Sequence, residues 1–561
     1  MLEEPTLSQL PLERPVLSEL AAENAAWLQA WEQASDATAQ LALIRQWDTQ
    51  QKRLETWRNL AYIHFAQDTS DKADKEFFDE LWPEISTQNL AVMKAILASE
   101  HRAALEAELG AHAFTIWQVA VSAFDPTLAD DKRAESKLVT RYDTLISELR
   151  AEFRGESMRL MDLRGKYGDA DRSVRHDARV AQDKAIASVA DQIDEIYDGL
   201  VALRVKMAGK MGLPSFVPLG YRAMGRSDYD ATDVAAFREK LHAHIVPIAQ
   251  KIRARRAQTL GLSDFSFHDE SVRDDKGVPR PMGGHDWMRA QAGALFESLG
   301  QDFGAFYRMM EQRQLMDLEA REGKVSGGFC ESLPEHQVPF IFANFNGTQD
   351  DVNVFTHECG HAFQAWSAAK TQSLRDYGWP TFEACEVHSM GLELLTFNEM
   401  ERFFGDDAER YRQGHLEEAL LFLPYGALVD HFQHEVYENP GLTPAERRAL
   451  WVRLEKHWIP DRQYQDTPGL AGGTFWMRQG HLFHQPFYYI DYCLAQVSAL
   501  ELWSQYIQDP TGTLTRYREL CDLGGSLPYT GLLRAVGLHS PFEGDTVEKV
   551  AGLVQEFLGL E

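Results

Sequence analysis

Five consecutive residues, His357-Glu358-Cys359-Gly360-His361, read H-E-x-x-H. A spacing of four places both imidazoles on one face of a helix, one turn apart, as two histidines must lie to share a zinc ion. Glu358 then sits beside the metal and not on it, where a carboxylate can take a proton from a zinc-activated water. The pattern fixes only three positions. A chance match somewhere along a chain with this histidine content is roughly a one-in-twenty event, so the flanking sequence has to decide between a site and a coincidence.

A catalytic zinc usually takes three protein ligands and keeps a fourth position for water. Downstream, TFEACEVHSMGLE at 381–393 is helical in character and holds Glu383, Glu386, His388 and Glu393. Glu386 and Glu393 are two turns apart on one face, and Glu383 lies one turn before Glu386. Residue chemistry alone leaves Glu383, Glu386 and His388 open as the third ligand. Standing alone, each reads as a surface carboxylate or a core histidine. Upstream, 324–333 and 338–347 flank Pro334-Glu335 and are predicted to be a pair of antiparallel strands. Thr348 to Asp351 then has the S/T-x-x-D form of a capping box, opening the helix that carries His357 and His361. An edge strand beside such a helix could pair with an extended peptide and lay its scissile bond over the metal. The plainer alternative is a structural hairpin.

The remaining sequence supplies mostly helices to hold these groups. Apolar residues recur at three- and four-residue steps through 16–67 and 73–109. The stretches 131–164 and 171–211 are predicted to form a long antiparallel helical hairpin around Lys166-Tyr167-Gly168-Asp169. Glycine and proline cluster at 209–220, the expected boundary between an N-terminal helical lobe (1–208) and a catalytic lobe (209–561). A chain of 561 residues exceeds what one core usually serves. The net charge of −29 argues against nucleic acid and anionic membranes as partners. Five cysteines without a C-x-x-C pair fit free thiols in a reducing compartment. The acidic start, MLEEPTLSQLPLERP, lacks the features of a signal peptide, and no run reaches the ~20 apolar residues of a membrane span. The expected location is cytoplasmic.

Further motifs bear on function: F-A-N-F-N-G-T at 342–348, E-V-H-S-M-G-L-E at 386–393, V-D-H-F-Q-H-E-V-Y-E-N-P at 429–440 and H-x-x-x-x-P-F-Y-Y-I-D-Y at 481–492. Together with H-E-x-x-H they span about residues 200–500. In these the chain resembles the thimet oligopeptidase and oligoendopeptidase F family of zinc metallopeptidases, on the oligoendopeptidase side. The resemblance implies a mainly α, two-lobed helical body around a deep substrate channel, with a small antiparallel β element beside the zinc helix. It implies one Zn2+ per chain and endopeptidase action on internal bonds of short, unstructured oligopeptides. Glu386 becomes the third ligand, and Glu383 and Glu393 become outer residues that orient ligands or pack helices. Glu358 is the general base that later protonates the leaving amine. His481, Tyr489 and Tyr492 stabilise the oxyanion, with Tyr488 beside them. His484 competes with His481, and Tyr488 with Tyr489, for these places. Substrate main chain is expected to meet the Gly327-Gly328 turn and the strand carrying Asn344, Asn346 and Gly347.

Other readings need stating. His431 and His434 resemble a permuted metal pair, but no third partner is evident, and a supporting helix is favoured. Cys359 faces off the metal side and reads as buried packing. A helical zinc carboxypeptidase would share H-E-x-x-H but would need a basic residue to grip a free C-terminus. A peptide-binding protein with a structural zinc would be closed by four ligands and would have no use for Glu358.

Overall fold

The computed structural model describes residues 5–560; the first four residues of the acidic N-terminal segment and Glu561 lie outside the described residues. The expectation of a mainly helical protein holds. The segment 16–67 forms helices Leu17–Gln33 and Ala37–Gln67, and 73–109 forms Ala73–Leu97 and Arg102–Leu109. Several starts are capped by aspartate: Asp36 accepts from Ala39 N, and Asp171 accepts from Ser173 N at the head of helix Arg172–Lys210. Among the described residues no helix is long and apolar enough to cross a membrane.

One predicted helix is interrupted. The stretch 131–164 is helical only over Ala129–Glu148, then turns into a β-hairpin, β1 (Arg150–Phe153) and β2 (Glu156–Arg159), before a short helix Leu160–Arg164. Arg154 and Gly155 both have positive φ, 51° and 90°. Two left-handed residues in succession make the turn that joins twisted strands. Gly155 was the signal, outweighed by the charge pattern around it.

The sheet near the motif also differs from expectation. β4 (Phe329–Leu333) and β5 (Val338–Phe345) pair antiparallel, as predicted. A further strand, β3 (Met316–Glu319), runs parallel to β5 on its other side, so the order is β3-β5-β4. β3 has no alternation to announce it. Its place makes β5 the central strand, buried almost throughout, and leaves β4 as the edge. In the register of β4 with β5, Ser332 faces Pro339, which has no N–H. That pair is therefore non-hydrogen-bonded, and the polar backbone of Ser332 points away from β5. By alternation so does that of Cys330. Asn59 Nδ2 donates to Ser332 O at 2.8 Å, so helix Ala37–Gln67 covers the far end of this edge.

Lys324 joins the sheet to its loop. Its side chain is fully buried, and Nζ reaches Asp317 Oδ1 (2.8 Å) and the carbonyls of Asp317 (3.2 Å), Glu319 (2.9 Å) and Ala343 (2.7 Å). β5 packs on the helix Gln349–Thr371, and a continuous core runs from Leu7 to Leu560 beneath it. Removing Lys324 would strand Asp317 and three carbonyls. Lys324→Met is expected to lower the unfolding free energy by about 3 kcal/mol at neutral pH, read by urea denaturation. An unchanged midpoint would show that Arg321 and Gln67 suffice for Asp317.

Candidate metal centre and active site

The helix Gln349–Thr371 carries both histidines. Thr348 is its N-cap residue, but its hydroxyl donates to Asn346 Oδ1 (2.8 Å) and caps nothing. The expected capping box is replaced by a loop clasp: the Asp351 carboxylate accepts from Asn346 N (3.0 Å) and Gly347 N (2.7 Å), the two residues before the cap. Against this helix lies Phe382–Leu395, and the two backbones meet at Gly360. A Cβ there would stand 2.5 Å from His388 O and 2.6 Å from Ser389 Cα. The fourth residue of H-E-x-x-H is thus fixed by packing and not by chemistry.

That contact brings three ligand atoms together. His357 Nε2 is 3.3 Å and His361 Nε2 is 3.6 Å from Glu386 Oε2, and all three ligand atoms lie within 4.8 Å of one another. Ligands about 2.05 Å from a tetrahedral zinc stand about 3.3 Å apart, so the spacing fits that ion. His388 is buried elsewhere, with Nδ1 on Ala384 O (2.7 Å). Both oxygens of Glu383 are buried without a hydrogen bond, in the surroundings of Arg226 and away from the histidines. Of the three candidates only Glu386 joins the cluster.

The outer partners are as specific as the ligands. His357 Nδ1 meets Glu393 Oε1 at 2.6 Å, and Glu393 Oε2 meets His415 Nε2 at 3.1 Å. The first of these bonds fixes the His357 tautomer with Nε2 free to ligate. His415 lies on helix Ala408–Glu438 and was missed in the sequence, since no spacing links it to Glu393. Tyr488 Oη donates to Glu386 Oε1 (2.9 Å), and Ser389 Oγ to Glu386 Oε2 (3.0 Å). Burial pushes Glu386 up, but the nearness of His357 and His361 and the bond from Tyr488 hold it at about 2. Glu358 has the opposite fate: buried beside the cluster, it is raised by desolvation to about 7. Cys359 is fully buried in the core.

The downstream segment closes over this cluster. Gln479 Nε2 donates to His481 Nδ1 (2.8 Å), while Tyr425 Oη donates to Gln479 Oε1 (2.8 Å). His481 therefore keeps its proton on Nε2, and burial lowers its pKa, favouring the neutral ring. His484 points elsewhere, its Nε2 on Asp143 Oδ1 at 2.7 Å. The His481 ring lies 5.6 Å from Tyr488, 5.1 Å from Tyr489 and 5.9 Å from Tyr492. Tyr492 packs on Tyr488 at 4.8 Å and senses the charges of Glu386 and Glu358. Tyr489 turns towards Phe422 and Tyr425. A cavity of about 370 Å3 opens here, walled by His481, Tyr489, Tyr492, Met390, Phe422 and Tyr411 among others.

Phe487, just before the tyrosines, has φ 69°, an uncommon conformation for a bulky residue. It is pinned from several sides. Gln433 Oε1 accepts from its N–H (2.7 Å), Arg226 Nη2 donates to its carbonyl (2.5 Å), and its ring fills the space a Cβ on Gly220 would need. Gln433 belongs to the segment that mimics a metal motif. Its histidines are engaged elsewhere: His431 Nδ1 receives Trp458 Nε1 (3.3 Å), and His434 Nε2 meets Tyr221 Oη (3.1 Å).

The residues expected to meet substrate are divided. A Cβ on Gly328 would lie 3.3 Å from Glu358 Oε1, so bare backbone passes next to that carboxylate. Gly327 has φ 99° and makes the bend into β4. Asn344 is taken up by that loop, its Nδ2 donating to Val325 O and Gly327 O. The N–H groups of Asn346 and Gly347 are engaged by Asp351.

The chain is similar to known peptidases in sequence and in fold. The profile of peptidase family M3 matches residues 303–551, and that of the peptidase M3 N-terminal domain matches residues 7–124. A crystal structure described as an oligoendopeptidase F superposes with a TM-score of 0.93 at 39% identity, over 99% of both chains. Pz peptidase A, solved with an inhibitor, gives 0.93 at 38% identity over the same shares. An oligoendopeptidase F homolog of Lactococcus lactis subsp. lactis (strain IL1403) is 20% identical over 382 residues, 64% of this chain and 60% of its own length. A chromosomal oligoendopeptidase F of Lactococcus lactis subsp. cremoris matches over 47% of its length, so the chain spans about half to three fifths of these curated relatives. The chain belongs to peptidase family M3.

Two substitutions test the centre without reference to turnover. Glu393→Gln is expected to weaken zinc binding about 10- to 100-fold in chelator competition. Gly360→Ala, which forces the helices apart, should weaken it at least as much while leaving helix content by circular dichroism intact. Wild-type zinc affinity in Gly360→Ala would show that the helix contact does not set the ligand spacing.

Proposed function

We propose that this member of family M3 is a zinc-dependent endopeptidase that hydrolyses internal bonds of short, unstructured oligopeptides, with Glu358 as general base. The observation that carries this is the pairing of a three-ligand cluster with a buried carboxylate beside it that is not a ligand. A structural zinc is usually closed by four protein ligands, and the described residues offer three. Held by His357, His361 and Glu386, a zinc ion would supply Lewis-acid charge that acidifies water and polarises a carbonyl.

The chain's own groups do the rest. Glu358, near 7, is poised to take a proton from the attacking water and to return it to the leaving amine. His481 presents its Nε2–H, and Tyr492 its hydroxyl, to the negative charge that develops on the carbonyl oxygen. One such donor is worth about 3–4 kcal/mol of barrier in a dry site. Tyr488 steadies Glu386. The outward backbone of β4 at Cys330, with Gly328 just before the strand, would pair with an extended peptide, which is indifferent to side-chain identity. The unpaired cysteines fit a cytoplasmic setting, and the charge of −29 disfavours nucleic acid and anionic membranes as partners.

Internally quenched peptides blocked at both ends should be cleaved, lose cleavage with chelator and regain it with zinc. Glu358→Gln should reduce kcat about 10^3-fold with zinc still bound. Turnover that survives both treatments would overturn the endopeptidase reading. Release of single residues from unblocked peptides only would make the protein a carboxypeptidase.

A further inference from the structure

The cavity against His481 shares Phe422, Tyr489 and Glu418 with a second cavity of about 520 Å3, also walled by Gln479 and Tyr425. Guanidinium groups crowd this second wall, in a chain with 85 acidic and only 56 basic residues. Two of them are neutralised. Arg462 grips Glu270 through Nε (3.0 Å) and Nη2 (2.7 Å), and Arg253 Nη1 meets Asp461 (3.1 Å).

Arg179 and Arg478 are not. Among the described residues neither has a carboxylate partner within salt-bridge distance. Their Nη1 atoms share a single neutral acceptor, Gln182 Oε1, at 3.2 and 3.3 Å. Arg179 Nη2 makes only a long contact to Ser271 Oγ (3.3 Å), and its Nε is buried with no partner. Arg179 is 8% exposed. A buried, unpaired guanidinium is costly, and natural cores rarely keep one. Aromatic rings hold both planes in place: Arg179 lies over Tyr167 (3.5 Å) and Phe267 (4.4 Å), Arg478 over Phe475 (3.9 Å). Desolvation, and then the charge of Arg478, push Arg179 down to about 9, against the opposing charge of Glu270.

We propose that Arg179 and Arg478 form a carboxylate-binding subsite that anchors the C-terminal carboxylate of an oligopeptide in the cavity adjoining that of His481 and Tyr492. Two guanidinium forks on rigid aromatic supports suit bidentate recognition of a carboxylate. Arg478 directly precedes Gln479, which fixes the His481 tautomer, so an anchored ligand bears on the segment that holds the oxyanion donor. The proposal deepens the peptidase reading above and rests on it: anchoring at the cavity would favour peptides whose free end reaches it.

The test separates the two. A fluorophore-labelled alanine-rich hexapeptide, as free acid or C-terminal amide, is titrated into zinc-loaded Glu358→Gln protein, which cannot turn it over. A second pair, both amidated, carries Glu or Gln next to the end and reports a side-chain carboxylate as the source. The free acid is expected to bind about tenfold more tightly than the amide. Arg478→Gln and Arg179→Gln should each bring that ratio within twofold. Arg478 is only partly buried, so its variant serves if Arg179→Gln does not fold. A preference for Glu over Gln without one for the acid terminus would move the carboxylate from the chain end to a side chain and overturn the anchor. Equal binding within both pairs, or a ratio that persists in Arg478→Gln, would overturn the subsite. An enzyme that cleaves end-blocked peptides yet shows no carboxylate preference would lose the subsite and keep the peptidase reading; the reverse outcome would do the opposite.

Discussion

Everything at the centre depends on how closely two helices approach. With no side chain at Gly360, the backbone of Phe382–Leu395 rests directly on Gln349–Thr371. A single methyl group would collide with the His388 carbonyl. The resulting separation puts Glu386 Oε2 at nearly equal distances from two imidazole nitrogens on the opposing helix. Helix packing distances vary with the side chains at the contact, and here the smallest possible residue sets the reach of a carboxylate to two imidazoles.

A second layer of polar contacts converts that spacing into defined protonation. Three carboxylates gather around His357, Glu358 and Glu386 buried and Glu393 half-buried, yet their environments push them apart. Glu393 stays ionised because His357 and His415 bond to it, and Glu386 because two imidazoles and the Tyr488 hydroxyl face it, whereas Glu358 is raised by desolvation. Groups of one chemical type thus divide by neighbours alone into two that stay ionised and one that titrates near neutrality. The same logic applies to the histidines. His357 is oriented by Glu393, His481 by Gln479, and His484 is drawn off to the surface by Asp143.

Much of this was legible in the sequence, and what was not has a physical cause. The period of four in H-E-x-x-H reports one helix face, so His357, His361 and Glu358 could be read directly. Glu386 needed the resemblance, because the contact that selects it over Glu383 and His388 lies between helices. His415 and Gln479 act through partners distant in sequence or off any regular period, and so gave no signal. The local elements failed in a similar way. β3 is too short to alternate and exists because β5 and Lys324 hold it. The hairpin at 150–159 hid inside a charged, helix-like stretch with Gly155 as its only sign. Thr348 looked like a cap, but the Asp351 carboxylate took the loop amides instead.

Phe487 has a wider consequence. Its left-handed backbone, of a kind that costs on the order of 1–3 kcal/mol, is held by Gln433, Arg226 and the void at Gly220. It delivers Tyr488 and Tyr492 to the ligand cluster from a chain that would otherwise relax away. Selection for thermal tolerance alone would favour a residue that is comfortable there, and would loosen the turn that brings Tyr488 to Glu386 in doing so. Local strain at this bend is then part of what holds Tyr488 against Glu386, and a more robust variant with a relaxed residue 487 would give up that contact.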